Sequence, residues 1–298
     1  MPDPASANDA YREWSRTSEE LLVFARPQWL DLVAPDAWCS ELIYGPRGRC
    51  VGAWPYVPTS RMGLRWASLP RATPYLGPVL TDPPTVASGK PPGALGYIAF
   101  TVRDPSAAWR YGRACRAMAT QVIDLNERPR YSSSIGRLIR RGRGELSVRQ
   151  AVSREDFGKL RLLLREQPAS GDYRSVAAYT AACERGLAST WLAEDGEGRT
   201  QGMVVVPEDR RCAYLAVQVR ASEAHAATMA VLVDEVLSDL ERRGIPRLDF
   251  ESGFLPGVRE FHRRLGARPC WYGLVRLSRG PAYSMLERIR AATNRRRI

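Results

Sequence analysis

Histidine is nearly missing from this chain, with two residues in 298, and lysine is as scarce, with two against 42 arginines. That imbalance reads as GC-rich coding rather than as selection for guanidinium chemistry. The six cysteines (Cys39, Cys50, Cys115, Cys183, Cys212 and Cys270) form no CxxC pair and none has a histidine at ligand spacing. Neither a zinc site nor a disulfide framework is therefore expected, only six ordinary reduced residues. No run of about 18 uninterrupted apolar residues occurs, which excludes a membrane-spanning helix. The opening MPDPASANDAYREWS is polar and acidic where a secretory signal would be basic and then apolar, so a cytoplasmic location is expected.

What is present is a net charge of +12, a pI near 9.8 and 44% apolar residues. Exchange of lysine for arginine leaves the net charge unchanged, so the charge carries information that the arginine count does not. It suits a polyanionic partner such as tRNA, an anionic membrane surface or a phosphate-bearing substrate, the alternative being a merely soluble basic protein. The length accommodates two domains, and the organisation places them at residues 1–130 and 131–298.

Periodicity and turn signals order the elements. PQWLDLVAP reads as a short helix, Ser40–Tyr44 and Cys50–Tyr56 as strands joined by GPRGR, and Leu64–Leu69 as a further strand. Thr81–Gly96 is rich in Pro and Gly and reads as a mobile loop. Tyr97–Val102 reads as a strand, Pro105–Met118 as a helix, Ala119–Leu125 as a strand and Ser132–Arg143 as a basic helix. Helices at Arg154–Glu166 and Val176–Gly186 precede strands at Ser189–Ala193, Gly202–Pro207 and Cys212–Val217, then a long helix at Glu223–Arg243. Leu248 and Phe250 mark a buried strand. Val258, Phe261 and Leu265 mark a helix that stops at Gly266, and a strand closes the series at Cys270–Leu277.

The segment DFESG followed by VREFHRRLGA resembles the end of the Fem family of peptidoglycan-bridge aminoacyltransferases, whose last domain has the GCN5-related N-acyltransferase (GNAT) fold and an FKxxFG-like helix. FARPQWLDLV resembles that family's early FxQxxxW helix, ATPYLGPVL its glycine-proline loop, YIAFTV its next core strand, and SSSIGRLIRRGRGELSV its segment RxNIxxAxKxGV. The resemblance implies an α/β fold of two tandem GNAT-like domains, each a central mixed sheet flanked by helices. It also implies acyl transfer from aminoacyl-tRNA, with acceptor binding on the first domain and the donor on the second. No metal or redox cofactor is implied.

Candidate residues follow. Arg137, Arg140 and Arg141 cluster on one side of the basic helix, where phosphate contacts would add salt-sensitive affinity. His262 stands at the family's FKxxFG lysine and Phe261 at its phenylalanine; His262 would act as imidazolium on developing charge or as a base, with Arg263 a permanent cation beside it. Alternation puts Asp249 and Glu251 on one side of their strand, where one can deprotonate the acceptor ammonium or both can pair with Arg247 or Arg268. Trp66, Tyr75 and Gly77 are assigned to the wall of the acceptor pocket. The tail LERIRAATNRRRI is a second basic site for tRNA or anionic lipid.

Two departures from the family pattern and one contrast with acyl-CoA enzymes shape the expectation. Leu32 and Val33 stand where the cell-wall enzymes carry a lysine, and Thr101 and Val102 stand where they tend to have Asp-Pro, which favours a smaller acceptor amine than a wall precursor. The stretch Gln218–Glu223 has no glycine, unlike the Q/RxxGxG/A turn that cradles the pyrophosphate of acyl-CoA in other enzymes of this fold. The leading expectation is thus an aminoacyl-tRNA-dependent N-acyltransferase. Its rivals are an acyl-CoA-dependent transferase and a nonenzymatic tRNA- or membrane-binding protein on the same fold.

Overall fold

The computed structural model describes residues 4–18, 21–45, 48–61, 63–80, 95–102, 115–127, 131–167, 173–251, 256–279, 283 and 285. The chain forms two compact units, residues 1–118 with 271–298, and residues 119–270. The first unit therefore ends twelve residues before the expected boundary at 130 and takes back the end of the chain.

Unit 1 begins with α1 (Pro4–Thr17) and α2 (Pro27–Val33), followed by β1 (Cys39–Tyr44), β2 (Cys50–Tyr56), β3 (Pro58–Arg61), β4 (Leu64–Ala67), β5 (Val79–Leu80) and β6 (Tyr97–Val102). β1 and β5 flank β2 in an antiparallel sheet. β4 pairs antiparallel with β3 and parallel with β6, and β6 in turn pairs antiparallel with the Gly273–Ser278 part of the last strand, β14 (Arg268–Ser278). Trp29 and Trp54 are wholly buried, Trp29 donating to Thr73 Oγ1 at 3.0 Å and Trp54 meeting Phe100 edge-on at 4.8 Å. The loop Ala72–Val79 is pinned to β6, because Leu76 N–H donates to Thr101 Oγ1 and Thr101 N–H to the Leu76 carbonyl.

Unit 2 takes up the chain along β7 (Cys115–Asp124) and continues through α3 (Ser133–Gly142), β8 (Leu146–Gln150), α4 (Arg154–Glu166), α5 (Val176–Glu184), β9 (Ala188–Asp195), β10 (Thr200–Pro207), β11 (Ala213–Tyr214), β12 (Val217–Arg220), α6 (Thr228–Arg243), β13 (Arg247–Asp249) and α7 (Pro256–Arg264). β12, β10, β9 and β8 form one antiparallel sheet. β13 pairs antiparallel with β7 and parallel with β11. The core gathers Ile135 and Ile139 of α3, Leu232, Val236 and Leu240 of α6, and the sheet residues Val204, Val206 and Leu248. α3 and α6 approach closely because position 142 is glycine; a Cβ there would stand 2.5 Å from that of Ala227. Among the described residues no helix is long and apolar enough to cross a membrane.

Several expectations change. Cys212–Val217 is two strands rather than one, since β11 and β12 belong to different sheets. The long helix begins at Thr228, not Glu223, because Ala221–Ala227 is held in turns by its own hydrogen bonds. The end of the expected helix Pro105–Met118 is the start of β7, and the rest of it lies outside the described residues, as do the loop 81–94 and the basic tail 286–298.

A Cβ at position 77 would collide with the carbonyl oxygen of Thr101, whereas one at position 158 in α4 would meet nothing within 4 Å. Gly77→Ala is therefore expected to destabilise unit 1 by ~1–3 kcal/mol, and Gly158→Ala to be neutral or stabilising by up to ~1 kcal/mol. Urea unfolding of the two variants beside the wild type checks both signs.

Candidate active site

The chain changes partners in the space of two residues. Leu215 N–H still donates to the Asp249 carbonyl at 2.7 Å, continuing the β11–β13 pairing, while Ala216 N–H donates to the Val205 carbonyl at 3.0 Å and commits β12 to the other sheet. Beyond this point β12 and β13 diverge, and their facing edges leave a cavity of about 750 Å³ inside unit 2. Leu215, Ala216, Gln218 and Arg220 line it from the β11–β12 side, and Phe250 and Glu251 from the end of β13. Gly257, Val258, Phe261 and Arg264 of α7, Ser134, Ile135 and Leu138 of α3, Met229 of α6, and Gln167 and Ala226 complete the wall.

His262 lies behind this wall. It is fully buried, stacks on Phe250 with ring centroids 3.9 Å apart, and its Nε2 is 3.2 Å from Gln218 Oε1. An amide oxygen is an acceptor only, so Nε2 carries the proton and donates. Burial pushes the imidazole pKa down to about 3, and the ring is neutral near pH 7. The imidazolium role expected for His262 is thus disfavoured, and so is a surface position; the ring ties α7 to β12. Arg263 points away, exposed and paired with Glu260 at 2.7 Å.

The expected pairing of faces for Asp249 and Glu251 is also corrected. The strand ends at Asp249, and Glu251 has φ of +50°, a left-handed conformation that L residues with a side chain adopt at a cost, so alternation no longer applies. Asp249 is buried, accepting from Thr120 Oγ1 at 2.5 Å and from Glu251 N–H at 2.8 Å. Glu251 lines the cavity, and its Oε1 is sealed from solvent with no hydrogen-bond partner among the described residues. Burial, reinforced by the charge of Asp249, raises its carboxyl pKa well above the usual range. Arg247 and Arg268 pair elsewhere, with Asp124 and Glu127.

Arg137, Arg140 and Arg141 are all exposed on α3, the helix whose Ser134 and Leu138 face the cavity; Arg141 pairs with Glu145 at 3.1 Å. Two cations of the lining, Arg220 and Arg264, were not singled out by sequence, and Arg264 donates to Ser134 Oγ. In the turn before α6 several backbone amides are already engaged. Ala221 N–H donates to the Gln201 carbonyl, His225 N–H to Gln201 Oε1, Ala227 N–H to His225 Nδ1 and Thr228 N–H to the His225 carbonyl. A pyrophosphate would find these donors spent.

The three unit 1 candidates occupy other settings. Trp66 is partly buried on β4, opposite Thr59 and Tyr97. Tyr75 is buried, edge-on to Tyr272 at 5.2 Å and tilted against Phe24 at 6.2 Å, and Gly77 is the close-packing position described above. None of the three lines the unit 2 cavity. Among the described residues no group of three His, Cys, Asp or Glu side chains is placed to hold a metal ion.

No protein-family model and no curated protein matches the sequence. Solved structures do match its fold. FemX aligns at 9% identity with a TM-score of 0.64 over 89% of this chain and 95% of its own. L-PGS of Bacillus licheniformis aligns at 13% identity and a TM-score of 0.54, over 93% of this chain and 92% of its own. A tandem GNAT protein from the clavulanic acid biosynthesis pathway aligns at 15% and 0.50, over 85% of this chain and 94% of its own. The fold is Fem-like, of the tandem GNAT type.

The depressed pKa of His262 makes stability depend on pH. Between an unfolded value near 6.5 and the folded value of about 3 the unfolded chain binds the extra proton, so this contribution is intact above pH 6.5 and is lost as pH falls. Glu251, with a raised folded pKa, acts in the opposite sense, being lost as pH rises above the unfolded value of 4.5. The His262 effect is isolated by comparison with His262→Gln. Relative to that variant, the wild type is expected to lose about 2 kcal/mol between pH 7 and pH 5, measured by urea unfolding at the two pH values.

Proposed function

We propose that this protein is an N-acyltransferase that makes an amide by direct attack of an acceptor amine on an activated aminoacyl ester, with aminoacyl-tRNA as the donor and a small-molecule or peptide amine as the acceptor. The observation that carries the reading is the buried Glu251 carboxyl in the cavity where β12 and β13 part, its Oε1 without a partner among the described residues. An acceptor amine is protonated at neutral pH and must lose that proton before it can attack. A carboxylate with a raised pKa is a better match for this task than an ordinary one.

In this scheme the Glu251 carboxylate takes a proton from the acceptor ammonium, and the freed nitrogen lone pair forms the C–N bond to the ester carbonyl carbon. The C–O bond to the ribose then breaks, the leaving oxygen takes the proton back from Glu251, and the second proton that the attacking nitrogen sheds as it becomes the amide passes to solvent. The protein otherwise contributes by holding amine and ester at attack distance. Asp249, held by Thr120, acts through Glu251 by keeping its proton affinity high. Arg220 and Arg264, which line the cavity, are assigned to the phosphates next to the ester, and the exposed Arg137, Arg140 and Arg141 of α3 to the rest of the acceptor stem.

The amides engaged at Ala221, His225, Ala227 and Thr228, together with the lack of glycine in residues 218–223, support a tRNA donor over acyl-CoA, whose pyrophosphate needs free N–H groups there. Direct assay separates the two. Radiolabelled aminoacyl-tRNAs supplied with cell extract are expected to move label into a ribonuclease-resistant amide, and label moving from acyl-CoA alone would sink the proposal. Glu251→Gln is expected to lower kcat by ~10²–10⁴ with little change in KM for the donor. The wild-type rate should rise with pH as Glu251 loses its proton. Replacing Arg137, Arg140 or Arg141 by Ala should each reduce the salt slope of tRNA binding by ~0.7–0.9 where a phosphate contact is lost, read by filter binding across a salt series.

A further inference from the structure

We infer that the unit 2 cavity selects the transferred group by its side chain, accepting aminoacyl esters with an apolar side chain of leucyl, methionyl or phenylalanyl size over glycyl and lysyl esters. The inference rests on the aminoacyl-ester reading above and adds the class of amino acid. Apolar side chains form part of the cavity wall in four directions, beside the polar Gln167, Gln218, Arg220 and Arg264: Ile135 and Leu138 of α3, Leu215 between β11 and β12, Met229 of α6, and Phe250 with Phe261 of α7. Ile135, Leu215 and Phe250 belong to the buried core itself, and Leu138, Met229 and Phe261 pack against it. This is a wall held in place by the core rather than a set of exposed side chains.

Two features set the range of groups that fit. A lysyl ammonium placed among these side chains needs a counter-charge, and the acid of the lining is Glu251, which the reaction uses for proton transfer. A glycyl ester leaves the apolar walls unfilled and gains nothing from them. Each missing methylene in such a pocket changes selection by ~10-fold or more, so leucyl and glycyl esters separate widely. Met229 contributes a flexible, polarisable wall that re-forms around different shapes, which favours a group of apolar side chains rather than a single one.

The test uses the full chain and uncleavable donor mimics, 3′-aminoacylamido-3′-deoxyadenosines bearing leucyl, methionyl, phenylalanyl, glycyl or lysyl groups, titrated by calorimetry. The three apolar probes are expected to bind at least ~10-fold tighter than the glycyl and lysyl probes, and within about tenfold of one another. Met229→Glu is expected to abolish the advantage of the apolar probes and to improve binding of the lysyl probe. Leu138→Gln, on the cavity face of a different helix, provides the same readout should the first variant fail to fold. Binding of all five within twofold, or tightest binding of the glycyl or lysyl probe, overturns the inference and leaves aminoacyl transfer standing. No binding by any probe also overturns it, and the transfer assay with the aminoacyl-tRNA pool then shows whether the underlying reading falls with it.

Discussion

Unit 2 depends on the parting of β12 from β13. Backbone groups prefer to be paired, and two strand edges that diverge in a protein interior close up unless something holds them apart. Here the stack of His262 on Phe250 and the bond from His262 to Gln218 brace the two edges through α7, so that the opening between them is a fixed space. The brace works because the imidazole is neutral. A charged ring there would bring a desolvation cost, and that cost is what lowers the pKa.

The carboxylates of this unit show how surroundings decide chemistry. Asp156 is buried at the start of α4 but receives two guanidinium N–H groups from Arg149 and the backbone N–H groups of Val152 and Ser153, which hold its pKa well below the usual carboxylate range. Glu251 has one oxygen sealed without a hydrogen-bond partner among the described residues and faces the charge of Asp249, and its pKa moves the other way. The first arrangement caps and fixes a helix. The second keeps a proton-transfer group uncommitted, which is why Glu251 and not the better satisfied Asp249 is the base of the proposed reaction.

Much of this was legible in the residues, and the misses have physical causes. Strong period-two and period-3.6 patterns located β1, β2, β6, α4 and the order of elements at the end of the chain. β8 escaped because its side chains are largely exposed and carry little alternation, and α1 because most of its residues are polar. The division of Cys212–Val217 into two strands is a change of hydrogen-bond partner, to which side-chain pattern is blind. The burial of His262 had a signal: it falls four residues after Val258 and three before Leu265, on the apolar face of α7. Glu251 had none, since a left-handed backbone at a glutamate contradicts the local rule and appears only where the surrounding structure imposes it.

The antiparallel pairing of β6 with β14 has a consequence in time. Thr101 bonds in register with Leu274, so a strand made in the first third of synthesis waits for a partner encoded about 170 residues later. At ribosomal rates of 5–20 residues per second the wait is ~10–35 s, during which one edge of β6 has no strand to cover it. The continuous segment 119–270 emerges whole in that interval and is free to fold first. The unit that begins the chain is thus the one that finishes last, and in a cell its unpaired edge is where a chaperone would be drawn to the nascent protein.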